Sequence, residues 1–217
     1  MRKEDTDDRD ILFHIDESEP WPENRMDERE DSSNKKDERN STSFIGEAIS
    51  WVLTIVVAVA IAFLLNKFVL INAEIPSGSM ENTIMTGDKL IGFRWSYLFS
   101  KPKRGDIIIF KYPDDESQNY VKRVIGCPGD TVVIESGKIY INGASEPLEE
   151  NYLKEDWVVA TGPYTFEVPE DSYFVMGDNR NDSWDARYWT NTYVAKDKIL
   201  GKAIFRYWPI NDVKVLH

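Results

Sequence analysis

The chain has 217 residues, a net charge of −12 and 41% apolar residues, which suits one ordinary domain with appended segments. Residues 1–43 carry −7 of that charge and the remainder −5, so neither part offers the basic surface that a nucleic-acid partner needs. A single cysteine, Cys127, excludes an internal disulfide and a Cys-rich metal site. With only His14 and His217, a His-based triad or a two-His zinc site would have to use residues at the extremes of the sequence.

Residues 1–43 are charged, poor in aromatic and branched side chains and without sustained periodicity, and they read as a disordered acidic tail. A membrane anchor is expected over residues 44–71. Within it, Ala48 to Leu65 carries no charge, and the uncharged run between Glu47 and Lys67 spans roughly 28 Å as a helix, the thickness of a bilayer core. A cleaved secretory signal is the competing reading, and Ile71-Asn-Ala73 resembles a cleavage site. The run is longer than a signal core, however, and follows a long acidic stretch in place of a short basic start. Lys35, Lys36 and Arg39 precede the span and only Lys67 closely follows it, so the tail is expected inside the cell and residues 72–217 outside.

Beyond Ile75 short apolar or alternating runs are separated by Gly, Pro, Asn and Asp. Strands are predicted at Lys89–Phe93, Asp106–Tyr112, Tyr120–Ile125, Thr131–Glu135, Lys138–Ile141, Tyr164–Val168, Ser172–Met176 and Ile199–Trp208. Turn signals such as Pro128-Gly-Asp130 and Asn142-Gly143 divide them, and no long helix is expected after the span. The fold class is therefore mostly β, an antiparallel sheet domain after one transmembrane helix, with a small acidic insertion around residues 140–165. Trp95, Tyr97, Phe99, Trp184, Trp189, Tyr193, Tyr207 and Trp208 are expected mainly in the core, with some resting at a membrane interface.

Two residues suggest chemistry. Ser79 stands in the Pro- and Gly-punctuated stretch Glu74 to Ile84, just after the apolar run, where a turn can hold out its hydroxyl. Lys122 lies in Tyr120-Val-Lys-Arg-Val-Ile125, among β-branched neighbours that would draw its ammonium out of water. A lysine at its ordinary pKa of about 10.4 is neutral in roughly one molecule in a few thousand at pH 7, and lowering it to about 7 or 8 takes about 3 to 5 kcal/mol of desolvation supported by the fold. Such a lysine can strip a serine hydroxyl without histidine. Ser77 is placed to join the Ser79 N–H in holding an oxyanion. Taken singly, each is equally well an ordinary turn serine or a lysine snorkelling from a strand edge.

The polar cluster Met176 to Trp189 reads first as a hydrogen-bonded loop. Its functional form is support of the site, with Ser183 exchanging a hydrogen bond with the lysine amine and Asp185 pairing with Arg187. A calcium loop is disfavoured because Arg180 occupies a ligand position and the customary Gly and distant Glu are missing. Ser100-Lys-Pro-Lys103 has the S-x-x-K spacing of penicillin-binding enzymes, yet it lies in a charged Pro-containing turn with no Lys-Thr-Gly after it. Asn181-Asp-Ser183 fits a glycosylation sequon, better explained by the polar loop.

Four motifs in order after a membrane span resemble the bacterial type I signal peptidases in their single-span form: Pro76–Met80, Arg104–Phe110, Lys122–Asp130 and Gly177–Arg187. The resemblance implies a membrane-bound serine endopeptidase that removes signal peptides from exported preproteins. Ser79 would be the nucleophile and Lys122 the general base, with Ser77 at the oxyanion, Ser183 orienting the lysine, and Asp178, Asp185 and Arg187 in support. It further implies that the substrate binds as an added β-strand with small side chains at the first and third positions before the cut, beside a lipid bilayer and without cofactor or metal. Asn82 departs from the proline found in many members, and Ala186 from the usual serine. A noncatalytic relative acting as an assembly module would be expected to lack the lysine. A self-cleaving repressor is disfavoured by the anchor, an inert membrane-tethered scaffold would show no lysine-dependent pH profile, and the oligomeric state stays open.

Overall fold

A computed structural model describes residues 27–217, with side chains described at Phe44 and from Gly46 onward. The expected tail therefore lies partly outside the described residues. Helix α1 spans Asp27–Phe68 and so begins inside the stretch read as tail. Once an apolar helix exists, continuing it backward into the charged residues before it needs no new nucleus. Its segment Gly46–Phe68, of 23 residues, is long and apolar enough to cross a membrane, about 34 Å at 1.5 Å per residue. Every side chain in it is exposed.

After the helix all strand pairings are antiparallel. The strands are β1 (Leu70–Glu74), β2 (Lys89–Phe93), β3 (Ile107–Tyr112), β4 (Asp115–Gly126), β5 (Thr131–Glu135), β6 (Lys138–Ile141), β7 (Tyr164–Glu167), β8 (Ser172–Met176), β9 (Val194–Ala195), β10 (Ile199–Trp208) and β11 (Lys214–Val215). A large sheet runs β1-β2-β10-β3-β4-β8-β9, with β11 on β10, and a three-stranded sheet runs β6-β5-β7. Leu70 and Ile71, assigned to the anchor on hydropathy, instead pair with Phe93 and Gly92. Sequence periodicity located the other long strands, and among the described residues only short 3₁₀ turns interrupt them.

Strand β3 explains the layering. Its first four residues, Ile107-Ile-Ile-Phe110, are all buried, because both faces are covered. Ile108 and Phe110 enter a core with Val124, Tyr173 and Phe174 that reaches Val132, Ile134 and Ile139 of the small sheet. Ile107 and Ile109 enter a second core with Ile71, Ile75, Met80, Ile84 and Leu216. Period two along one strand thus separates the two cores.

The aromatic residues depart from expectation. Trp189 is buried and Tyr97 and Tyr193 pack partly buried against the first core, but Trp95, Phe99, Trp184 and Trp208 are exposed. These four sit in turns or at a strand end, where the chain has no second layer to meet.

Candidate active site

Ser79 sits on a 3₁₀ turn, Gly78–Met80, that follows β1. The turn is held from below: Ile84 N–H donates to the Met80 carbonyl at 2.8 Å, and Met80 is 1% exposed in the second core. From the side, Asn179 donates its N–H to the Ser79 carbonyl at 3.1 Å and its Nδ2 to the Gly78 carbonyl at 3.0 Å. The nucleophile turn and the polar loop after β8 are therefore one hydrogen-bonded unit, although about a hundred residues separate them.

Lys122 reaches that turn from β4. Alternation puts it on the face of Tyr120 and Val124, and its partner across the ladder is Ile108. It is 3% exposed, and its Nζ lies 2.6 Å from Ser79 Oγ. Burial pushes its pKa down from 10.5 to about 8, against the opposing pull of the Asp185 and Asp178 carboxylates. The Tyr120 ring stands 5.5 Å from the amine and stacks on Tyr112, which closes that side with apolar surface. A serine hydroxyl within hydrogen-bond reach of a desolvated amine is the arrangement general-base activation requires.

Ser77 lies exposed beside the pair, its Oγ 3.5 Å from Ser79 Oγ. Asp178 is fully buried and receives Arg123 in a two-pronged ion pair, Nε at 2.8 Å and Nη2 at 2.7 Å, together with the Thr83 hydroxyl at 2.5 Å. Asp185 receives Arg187 in the same manner and accepts the Gly177 N–H at 3.1 Å. Ser183 departs from expectation: it is buried, but its hydroxyl makes no hydrogen bond and the bond expected to the lysine amine is not made. The amine meets Ser79 instead, and Ser183 Oγ packs against Gly177, where a Cβ would collide with it and with the Ser79 carbonyl.

Several neighbours were not foreseen. Arg123, next to Lys122, also donates to the Gly105 and His217 main-chain oxygens at 2.8 Å, and its guanidinium lies 4.0 Å over the Tyr152 ring. Arg180 binds Glu150 at 2.5 Å and 3.1 Å, while Asn82 donates to the Tyr152 carbonyl at 3.1 Å. The acidic segment around Glu150 is thus packed onto the site's supporting loop. Its carboxylates signalled only a solvated turn, since their arginine partners lie far away in sequence.

A cleft of about 650 Å³ runs past the pair, walled by residues 71–80 on one side and 118–122 on the other, with Asp182 and Trp184 at its margin. Ser100 and Lys103 lie outside it, and the Ser100 hydroxyl donates to the Ser96 carbonyl. Among the described residues no three His, Cys, Asp or Glu side chains group as metal ligands.

The family described as signal peptidase, peptidase S26, matches residues 48–208. The chain belongs to this family. A signal peptidase I of Leptolyngbya laminosa is 42% identical over 168 residues, covering 74% of this chain and 79% of that one. A signal peptidase I of Bacillus licheniformis is 36% identical over 183 residues, covering 82% and 97% respectively. A crystal structure of a signal peptidase I from Enterococcus faecalis V583 aligns at 36% identity with a TM-score of 0.41, over 48% of this chain and 97% of that chain. The stretch matched to the signal peptidase family contains the Ser79 turn, Lys122 and the whole polar loop.

Proposed function

We propose that this member of the signal peptidase family is a membrane-bound serine endopeptidase that removes signal peptides from preproteins, with Ser79 as nucleophile and Lys122 as general base. The observation that carries the roles is the 2.6 Å separation of Ser79 Oγ from an amine that is 3% exposed. In the reaction the neutral amine takes the Ser79 proton as Oγ adds to the scissile carbonyl. The Ser79 N–H and the Ser77 hydroxyl hold the oxyanion, and the ammonium then returns the proton to the leaving amine. Deacylation repeats the sequence with water as the nucleophile. Asp178 and Asp185, each neutralised by an arginine, fix the loop that grips the serine turn.

The cleft suits a substrate that binds as an added strand. β1 pairs only with β2, and β4 pairs with β8 only from Arg123 onward, so backbone groups on both cleft walls stay open between Ile71 and Glu74 and between Gln118 and Lys122. Residues 1–43 would form the cytoplasmic tail, the helix from residue 44 to Phe68 the anchor, and the chain from β1 at Leu70 onward the outer catalytic domain.

The test is cleavage of a purified preprotein by the full chain, by Ser79→Ala and by Lys122→Ala. Loss of the base should lower the rate by about 10²- to 10⁴-fold. Cleavage that survives in Lys122→Ala rejects the mechanism.

A further inference from the structure

Trp184 takes no part in the proton transfers at Ser79, yet it stands at the margin of the cleft. Its ring is fixed from two directions. The indole N–H donates to the Tyr112 hydroxyl at 3.2 Å, and Tyr188 stacks on the ring at 5.4 Å with the planes 10° apart. Tyr112 in turn stacks on Tyr120, which lines the cleft beside the Lys122 amine. Aromatic surface therefore runs along the β4 side of the cleft. With Tyr188 against one face, Trp184 is still 57% exposed, so the rest of the indole is an apolar surface open to a ligand. A ring kept only to fill the core would be covered on both faces.

Strand alternation decides which substrate side chain meets this surface. The apolar helix ends at Phe68 and β1 begins at Leu70, so the Ile71 end of the cleft is the end nearer the membrane. A preprotein whose signal segment lies in the bilayer enters there. It lays the residues before its cut between Ile71–Glu74 and Gln118–Lys122, running toward Ser79. The side chains of such a strand point alternately to two faces. One face is the floor, where Ile71, Ile75 and Ile109 belong to the second core. The other is the face of Tyr120 and Trp184. Beside Ser79 that second face is filled by the Lys122 side chain. The residue that offers its carbonyl to Ser79 must therefore turn its side chain to the floor. The residue before it, second from the cut, then points at Tyr120 and Trp184.

We infer that Trp184 is a specificity-determining residue that favours a large apolar or aromatic side chain at the second position before the cut. The inference rests on the signal-peptide-cleaving reading above. Contact with a ring already held by Tyr112 and Tyr188 orders only the substrate side chain, so little of its favourable energy is lost to conformational entropy.

The test measures kcat/KM of the full chain in detergent on a preprotein with alanine at the first and third positions before its cut and alanine, leucine or phenylalanine at the second. Phenylalanine should be cleaved roughly three- to tenfold faster than alanine, the worth of one aromatic contact, with leucine between them. In Trp184→Ala the preference for phenylalanine over alanine should vanish, and in Trp184→Phe, which keeps a ring, it should persist. The preference is a ratio within each enzyme, so a general loss of activity cancels. Discrimination between alanine and phenylalanine at the first position should survive in Trp184→Ala, whereas a site merely loosened would lose it. Read as peptide affinity in the Ser79→Ala background, the same ratio needs no turnover and decides the matter if Trp184→Ala is inactive. A flat wild-type series, a preference unchanged by Trp184→Ala, or a Trp184-dependent preference at the fourth position in place of the second overturns the inference. A wild type that cleaves every substrate alike defeats this inference alone, whereas one that cleaves none defeats the catalytic reading.

Discussion

Lys122 is held between opposing influences, and its proton reports their balance. Burial moves its pKa from 10.5 to about 8, with Asp185 and then Asp178 pulling it upward. At pH 7 this leaves roughly one amine in ten neutral, against roughly one in three thousand for an unperturbed lysine. The kcat/KM for preprotein cleavage should therefore rise about tenfold per pH unit below pH 8 and flatten above it. Asp185→Asn removes the largest upward pull, so its rising limb should move to lower pH even where the damaged Arg187 pair lowers the maximum. A limb that does not move would mean that the amine is not the titrating base.

At the scale of elements, the position of the serine depends on the loop after β8 as much as on its own turn. Gly177 shows this most sharply, because a Cβ there would meet Ser183 Oγ and the Ser79 carbonyl together. Gly177→Ala should displace the serine turn, and a misplacement near 1 Å costs about a hundredfold in kcat. Unfolding of the sheets should change far less, and equal losses of activity and stability would argue against a positioning effect. Much of this architecture could be read from residue order. β2, β5, β6, β8 and β10 begin and end where alternation meets Gly, Pro or Asn signals, and the long polar loop announced itself by composition. β1 could not be read, since Leu70 and Ile71 continue the apolar run of the helix and only pairing with β2 makes them a strand. β9 and β11, two residues each, exist only through their partners. For the site, residue type suggested Ser79 and Lys122. Their contact needed the Ile108–Lys122 register, and the grip of Asn179 on Gly78 and Ser79 needed tertiary structure. Arg123 and Glu150 were invisible for the same reason: each acts through a partner distant in the chain.

For the molecule as a whole, a desolvated lysine is a liability to folding as well as a catalyst, and the sign of its effect can be worked out. Its folded pKa of about 8 lies below the unfolded value of 10.5, so between those values the unfolded chain binds more protons. Stability linked to Lys122 therefore increases as pH rises from about 8 to 10.5. Below about pH 8 the full penalty applies, of order 3 kcal/mol. Lys122→Met keeps the apolar stem and removes the ionisable end, so it should be inactive and also more stable than wild type at pH 7, by about 1 to 3 kcal/mol. That advantage should shrink steadily toward pH 10.5. Tyr97 and Tyr152, whose hydroxyls are pushed up chiefly by burial, would lose their protons near pH 10 only in the unfolded chain, and they too make stability depend on pH. They are common to both proteins and cancel in the difference. Thermal unfolding of the β domain, followed by near-ultraviolet circular dichroism with the full chain in detergent at pH 7 and pH 9.5, measures the gap. A gap that is absent, or equal at the two pH values, would mean that the amine is hydrated in the folded protein and that no base of lowered pKa stands beside Ser79.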